Sequence, residues 1–370
     1  MSAFGIVMAL LGAALPSFAR DLGVTLAGAG VFYLWMNGAM LASSLALGRL
    51  MDRAGLKAPL AGGALLAAAA LLVLVKARSA ADLPLAAVLL GLGGAALNGG
   101  SNTLVADLWV EPAEKASRLN ILGLYFGAGA LLLPVLGSVR VEGLGWRVSL
   151  GVALGLCLLL ALAVLALRFP AAKAGPARPG PGPLSFLRRA PVLLLGAILC
   201  LQSANEFTLS GFLTSLLTRE KGFDAPGASM VLAGYWAAVM GGRVAVSRLV
   251  LAFDRTRVLA ACAALAAVAV ALMGALSGAA AAGAALLLGA AMAGVYPTAL
   301  ALAGARYPES TGAVFGILFT MALGGGMTMP YAVGRVGEAA ALSAAMPIPA
   351  GAFALIALLT FPLRRALARP

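Results

Sequence analysis

Gly48-Arg49-Leu50-Met51-Asp52-Arg53-Ala54-Gly55-Leu56-Lys57 stands between two long apolar segments, one ending near residue 50 and one starting near residue 59. A short charged stretch bounded by glycines cannot lie in hydrocarbon, where water is absent and open backbone has no partner. The flanking helices must therefore cross a membrane, turn and return.

Composition agrees. A soluble domain carries about 25% charged residues. This chain of 370 residues carries 11%, is 62% hydrophobic and has a mean hydropathy of +1.02. No soluble fold covers that much apolar side chain. A spanning helix takes about 20 apolar residues, so twelve would take about 240 and leave about 130 for connections and tails. The apolar runs predict helices at 2–19, 27–50, 59–77, 84–106, 118–139, 146–168, 191–218, 226–250, 258–276, 280–303, 311–334 and 340–362. The expected fold class is all-α integral membrane, with twelve transmembrane helices in two six-helix bundles related by pseudo-twofold symmetry.

The net charge of +13 does not point to nucleic acid, because of where the charge lies. The side holding the 48–57 turn carries 18 of the 26 Lys+Arg: Arg49, Arg53, Lys57, Lys115, Arg118, Arg168, Lys173, Arg178, Arg188, Arg189, Arg243, Arg248, Arg255, Arg257, Arg306, Arg364, Arg365 and Arg369. Lys and Arg accumulate on the cytoplasmic side. The expectation is a multi-pass protein of the cell inner (plasma) membrane with both termini cytoplasmic. The first 19 residues lack a basic start, and no small-x-small site precedes Arg20-Asp21, so they read as a spanning helix and not a signal peptide. Cys157, Cys200 and Cys262 all fall in apolar segments and read as packing residues, and the chain has no histidine.

Residues 169–190 are the one long polar interruption, dense in Pro and Gly, which block helix and leave an extended linker. They divide the chain into 1–168, a linker expected to be cytoplasmic, and 191–370. The halves are related. Gly48-Arg49 and Gly242-Arg243 lie 194 residues apart, Ser117 and Ser310 lie 193 apart, and Pro134 and Pro330 lie 196 apart. A near-constant offset is the mark of a duplicated unit. Parallel six-helix repeats place a substrate site near midplane between them. The second copy of the turn, Asp254-Arg255-Thr256-Arg257, is displaced and degraded.

Of the 13 Asp+Glu, Glu206 alone falls near the middle of an expected span. An ionisable group at that depth is costly and functional by default. A carboxyl held there takes a proton from one side and releases it to the other, or hydrogen-bonds a hydroxylated solute. Gln202, Asn205 and Glu206 stand at i, i+3, i+4 and share a helix face. Asn98 and Asn102, with Ser101 beside them, form a second polar stripe. Lipid offers amides no partner, so both stripes are expected to face the bundle interior. The competing reading is interhelical glue, with Glu206 inert. Trp35, Tyr125, Tyr235, Trp236, Tyr296 and Tyr331 offer rings with a polar edge that suit a sugar, and equally suit packing or the membrane interface. The glycines of Gly91-Leu-Gly-Gly and Gly324-Gly-Gly lie inside apolar helices and lack the Lys-Ser/Thr of a nucleotide loop, so they read as close-packing residues. Neither a Walker loop nor a metal-ligand cluster occurs. The chain is expected to be no enzyme and to hold no cofactor or metal.

The 48–57 turn resembles the signature loop of major facilitator transporters, roughly Gly-x-x-x-Asp-Arg-x-Gly-x-Lys/Arg, matched by Gly48, Asp52, Arg53, Gly55 and Lys57. Residues 117–137 (Ser-Arg-Leu-Asn120 onward through Tyr125-Phe-Gly-Ala-Gly-Ala to Pro134), 205–212 (Asn-Glu-Phe-Thr-Leu-Ser-Gly-Phe) and 294–298 (Gly-Val-Tyr-Pro-Thr) resemble helices five, seven and ten of the fucose:proton symporter-like group. The resemblance implies alternating access and symport of a monosaccharide with a cation, usually a proton. It implies gating by Gly48, Asp52, Arg53, Gly55 and Lys57 with Gly242-Arg243 as the repeat's counterpart. Asp52 would sit against a helix N-terminus, where a carboxylate is favoured. Substrate contacts would fall to Gln202, Asn205, Glu206, Asn98, Asn102, Asn120, Tyr125, Trp236 and Tyr296, with Glu206 coupling the proton. That group carries acids in its first and fourth helices, and this chain has none there. Coupling must then use Glu206, use sodium held by carbonyls and amides, or be absent. Expected partners are one small solute, a coupling proton or sodium, and membrane lipids, with no nucleic acid, on a monomer. The alternative is a proton-coupled exporter of drugs or amphipathic, lipid-like molecules.

Overall fold

The computed structural model describes residues 1–109, 112–138, 145–170 and 183–368. Among them the regular elements are helices: α1 (Ser2–Leu22), α2 (Leu26–Ala54), α3 (Lys57–Lys76), α4 (Leu83–Leu108), α5 (Pro112–Ser138), α6 (Trp146–Ala166), α7 (Ala190–Glu220), α8 (Ala225–Ala252), α9 (Arg255–Ala275), α10 (Gly278–Met292), α11 (Val295–Arg306), α12 (Thr311–Ala339), α13 (Leu342–Ala345) and α14 (Pro347–Ala368), with short 3-10 turns between some of them. Among the described residues, twelve helical segments are long and apolar enough to cross a membrane, the tenth spanning Gly278–Arg306 and the twelfth Leu342–Ala368. Two compact units result: residues 1–176 with 225–233, and residues 177–224 with 234–370.

The fifth span starts earlier than expected, at Pro112, and the last divides into α13 and α14 and runs on to Ala368; two further differences bear on the site. The charged 48–57 stretch is mostly helix, and the turn shrinks to Gly55-Leu56 before α3 starts at Lys57. Gly55 has φ 76°, the left-handed region that glycine enters without steric penalty. The side chains at Gly48, Arg49, Asp52, Arg53, Ser117 and Asn120 lie outside the described residues. The helix expected at 280–303 breaks at Ala293-Gly294. Pro297 has no N–H to return to the Ala293 carbonyl, so the ladder is interrupted there. A Cβ on Gly294 would press into the Val246 side chain at 2.7 Å, so α8 passes very close at the break.

The internal repeat reappears as matched close approaches. In the first unit Gly129 of α5 packs on the Ser2 backbone, and Gly91 of α4 packs on the Met36 carbonyl of α2. In the second unit Gly325 of α12 packs on the Cys200 backbone, and Gly289 of α10 on the Tyr235 carbonyl of α8. Small residues at these crossings bring two backbones together where any Cβ would collide.

Helix ends repeat too. Arg20-Asp21-Leu22-Gly23 closes α1 and Arg219-Glu220-Lys221-Gly222 closes α7, 199 residues later. Gly23 (φ 67°) and Gly222 (φ 80°) both turn left-handed, a common way to end a helix. The next amides, Val24 and Phe223, donate back to Phe18 and Leu217 at 3.2 Å each. In each unit the acid then holds the start of the sixth span. Asp21 accepts from Trp146 Nε1 at 2.7 Å. Glu220 accepts from the Leu342 and Ser343 amides at 2.6 and 2.9 Å. A cation closes the end of the third span. Arg147 donates to the Val75 and Ala77 carbonyls at 3.2 and 3.0 Å, and Lys221 Nζ donates to the Gly274 carbonyl at 2.5 Å. Orphan carbonyls at the ends of both third spans, and in the second unit the amides that open α13, are thus satisfied by charge, the stronger class of hydrogen bond.

Two measurements check this frame. Glu220→Ala leaves two helix-start amides without their charged acceptor and should lower unfolding stability by about 1–3 kcal/mol, read as a lower Tm in detergent. Gly129→Val and Gly325→Val should each destabilise by about 1–3 kcal/mol through overpacking, whereas Gly151→Val, where a Cβ meets nothing within 4 Å, should leave the Tm near the wild-type value.

Candidate functional site

The second half of α7 is rich in polar residues because it is the inner helix of its unit: Gln202, Asn205, Thr208, Ser210, Thr214 and Ser215 are all buried. Several hydroxyls are satisfied on their own helix. Thr208 donates to the Ala204 carbonyl at 2.7 Å and Ser210 to the Glu206 carbonyl at 2.6 Å. The amides are different. Gln202 is 1% and Asn205 0% exposed, yet Gln202 Oε1 and both polar atoms of the Asn205 side chain find no hydrogen-bond partner among the described residues. Each such atom costs about 1–3 kcal/mol if left alone. Orphans of this kind need an explanation, and two on one helix face, next to an acid, mark a site.

Glu206 completes that face and is partly buried. It attracts the Arg243 guanidinium of α8 and interacts electrostatically with the Tyr296 hydroxyl of α11. Each neighbour is delivered by a local feature. Tyr296 stands just after the Ala293-Gly294 break, which frees the chain to re-aim at α7. Arg243 follows Gly242, whose missing Cβ lets α8 lie against the Ala290 backbone of α10. The carboxylate, the guanidinium, the phenol and the two amides therefore gather within the second unit. The sequence reading took Arg243 as a gating residue near a helix end. α8 ends at Ala252, two residues past its expected end, and Arg243 lies within the electrostatic reach of Glu206.

The other expected residues are placed differently. Asn102 Nδ2 donates to the Asn98 carbonyl and to Asn98 Oδ1, both at 2.9 Å, so the α4 pair is closed on its own helix. Tyr125 is exposed at 58%, and Trp236 is buried at 1%, its ring edge-on to Tyr235 at 5.4 Å. Asn120 lies outside the described side chains. One residue escaped the sequence reading: Asn37 of α2 is fully buried and donates to the Tyr33 carbonyl at 3.0 Å. A lone amide inside an apolar run was the available signal. No group of three or more metal-ligating side chains occurs among the described residues.

Among the described residues, twelve apolar spans fall in two repeated units, and the acid with its charged and polar neighbours gathers inside the second. The sequence profile of the Major Facilitator Superfamily matches residues 1–330, and the chain belongs to that family. A solved bacterial homolog of the human lysosomal transporter Spinster, in an inward-facing and occupied conformation, is similar with a TM-score of 0.81 at 14% identity, over 99% of this chain and 94% of that one. The transporter FucP in its outward conformation is similar with a TM-score of 0.66 at 20% identity, over 98% of this chain and 97% of that one. At such identities the likeness is one of fold. In sequence, 118 residues (31% of this chain) are 30% identical to the vacuolar basic amino acid transporter 1 of Saccharomyces cerevisiae, and that match spans 21% of the yeast protein.

The Glu206–Arg243 attraction is testable by a double-mutant cycle. Glu206→Gln, Arg243→Gln and the double variant, compared by unfolding in detergent, should give a coupling energy of about 0.5–3 kcal/mol. Additive effects would mean that the two groups do not sense each other.

Proposed function

We propose that this chain is a secondary transporter that moves a small polar solute, in the leading reading a monosaccharide, by alternating access, with Glu206 as the point where a coupling proton acts. The observation that carries this is the joint presence, in one unit, of a mid-span carboxylate, a guanidinium, a phenol and two buried amides with unpartnered polar atoms. A hydroxylated solute supplies both donors and acceptors, which is what Gln202 and Asn205 lack. Ionised Glu206 attracts Arg243 and ties α7 to α8. Protonated Glu206 loses that attraction and becomes a donor. Proton occupancy thereby changes the tie between two helices of one unit, and such a difference between states is what gradient-driven transport requires. The α4 pair, closed on itself, offers no matching acid, so the coupling falls on the second half. Gating belongs in this reading to the α2–α3 connection around Gly55 and Lys57.

Charge asymmetry supports a cytoplasmic position for that connection and, by counting crossings, for the start of α9 and the end of α14. A second reading follows from the yeast relative named for basic amino acids. A cationic solute would pair with Glu206 in place of Arg243.

In proteoliposomes with an imposed pH gradient, Glu206→Gln should abolish uphill accumulation and retain solute exchange. Unchanged uphill uptake in the variant removes Glu206 from coupling. A panel of neutral sugars against Lys and Arg as free solutes separates the two readings.

A further inference from the structure

At the boundary where α9 begins and α14 ends, the second unit has a groove of about 620 Å³ whose lining includes Arg257, Ala260, Phe361, Arg364, Arg365 and Ala368. None of the proposed transport residues takes part in it. Among the described residues, the guanidinium groups of Arg257, Arg364 and Arg365 make no hydrogen bond or ion pair, and all three residues are exposed. The nearby acid is already engaged. Asp254 caps α9 through the Arg257 amide at 3.1 Å. The Thr256 hydroxyl holds its carboxyl below the usual carboxylate range against the opposing effect of burial, with help from backbone amides and the Arg364 charge. Among the described residues, three Arg and no acid line the groove, which leaves it positive.

The groove is also open to an apolar flank. Phe361 is 68% and Leu358 61% exposed, and with Arg365 they stand at i, i+3, i+7 along one face of α14. Leu265, on α9 two turns below Arg257, is exposed at 45%. Cations at the end of two spans, with bare apolar side chains continuing along the helices beneath them, match a molecule that has an anionic head and hydrocarbon tails. A free anion would use the cations and leave the apolar track unused.

We propose that this groove binds the phosphate-bearing headgroup of an anionic phospholipid, with Arg257, Arg364 and Arg365 around the phosphate and the acyl chains along Leu358 and Phe361. Its place at the face assigned above to the cytoplasm is where anionic lipids and basic side chains meet. The shape is a cleft between two spans, so the lipid is held as a ligand and not merely as solvent.

The test uses the full chain purified from nanodiscs of phosphatidylcholine alone or mixed with phosphatidylglycerol, with retained lipid read by native mass spectrometry. The wild type should retain phosphatidylglycerol in preference to phosphatidylcholine. Arg257→Gln, Arg364→Gln and Arg365→Gln should each weaken that retention about five-fold. Arg78→Gln, on an exposed connection between α3 and α4, should leave it unchanged, and added inorganic phosphate should not displace the lipid. Three results would overturn the proposal: equal retention by the triple variant, an equal loss in Arg78→Gln, or complete displacement by inorganic phosphate, which would make the groove a site for a free anion.

Discussion

An ionised carboxyl inside an apolar bundle must be answered by another charge or by a proton, and Glu206 faces that requirement. Its surroundings therefore decide its state. The protein answers with Arg243 and Tyr296, brought from two other helices. Both arrive by departures from regular packing: a glycine that lets α8 close on α10, and a broken tenth span that turns its second segment toward α7. The first unit has no such break in α4, and its amide pair is closed on itself. The duplicated plan is therefore used unequally, with one copy keeping the frame and the other carrying the charge.

The frame that allows this is built at the helix ends. The last acid of α1 and the last acid of α7 perform the same task 199 residues apart, each holding the start of its unit's sixth span. A cation closes the third span in both, although it comes from α6 in one unit and from the end of α7 in the other. The duplication thus preserved the hydrogen-bond requirement more closely than the residues that meet it. This is what backbone physics predicts, because an orphan carbonyl accepts a Lys as readily as an Arg.

Much of the fold was legible because crossing a membrane leaves the sequence few choices. Long apolar runs place the spans, and their observed outer ends fall within about six residues of those expected. Two elements escaped for physical reasons. Residues 48–54 read as a turn because of their charge, but a helix leaving the apolar layer can carry charge along its exposed end, and only Gly55 has the conformation that stops it. The tenth span read as continuous because Ala-rich sequence fits a helix without interruption, and Pro297, well inside the expected helix, is what breaks it. At the site, Gln202, Asn205 and Glu206 were legible as an i, i+3, i+4 stripe. Arg243 was not, since a Gly-Arg pair matching the Gly48-Arg49 turn reads as part of a gate, and only the close crossing of α8 with α10 brings it to Glu206. The repeated Arg-acid-x-Gly ends were present in the sequence all along. They passed as loop polarity because their partners, Trp146 and the Leu342-Ser343 amides, lie more than a hundred residues away.

The most direct test of the account is infrared difference spectroscopy of the lipid-embedded protein between acidic and alkaline pH. A carboxyl band that titrates, vanishes in Glu206→Gln and moves in Arg243→Gln is the predicted result: it would report one mid-span acid exchanging protons while sensing its guanidinium neighbour. A spectrum with no band lost in Glu206→Gln, or with a band indifferent to Arg243, would contradict it and leave the acid as a structural group.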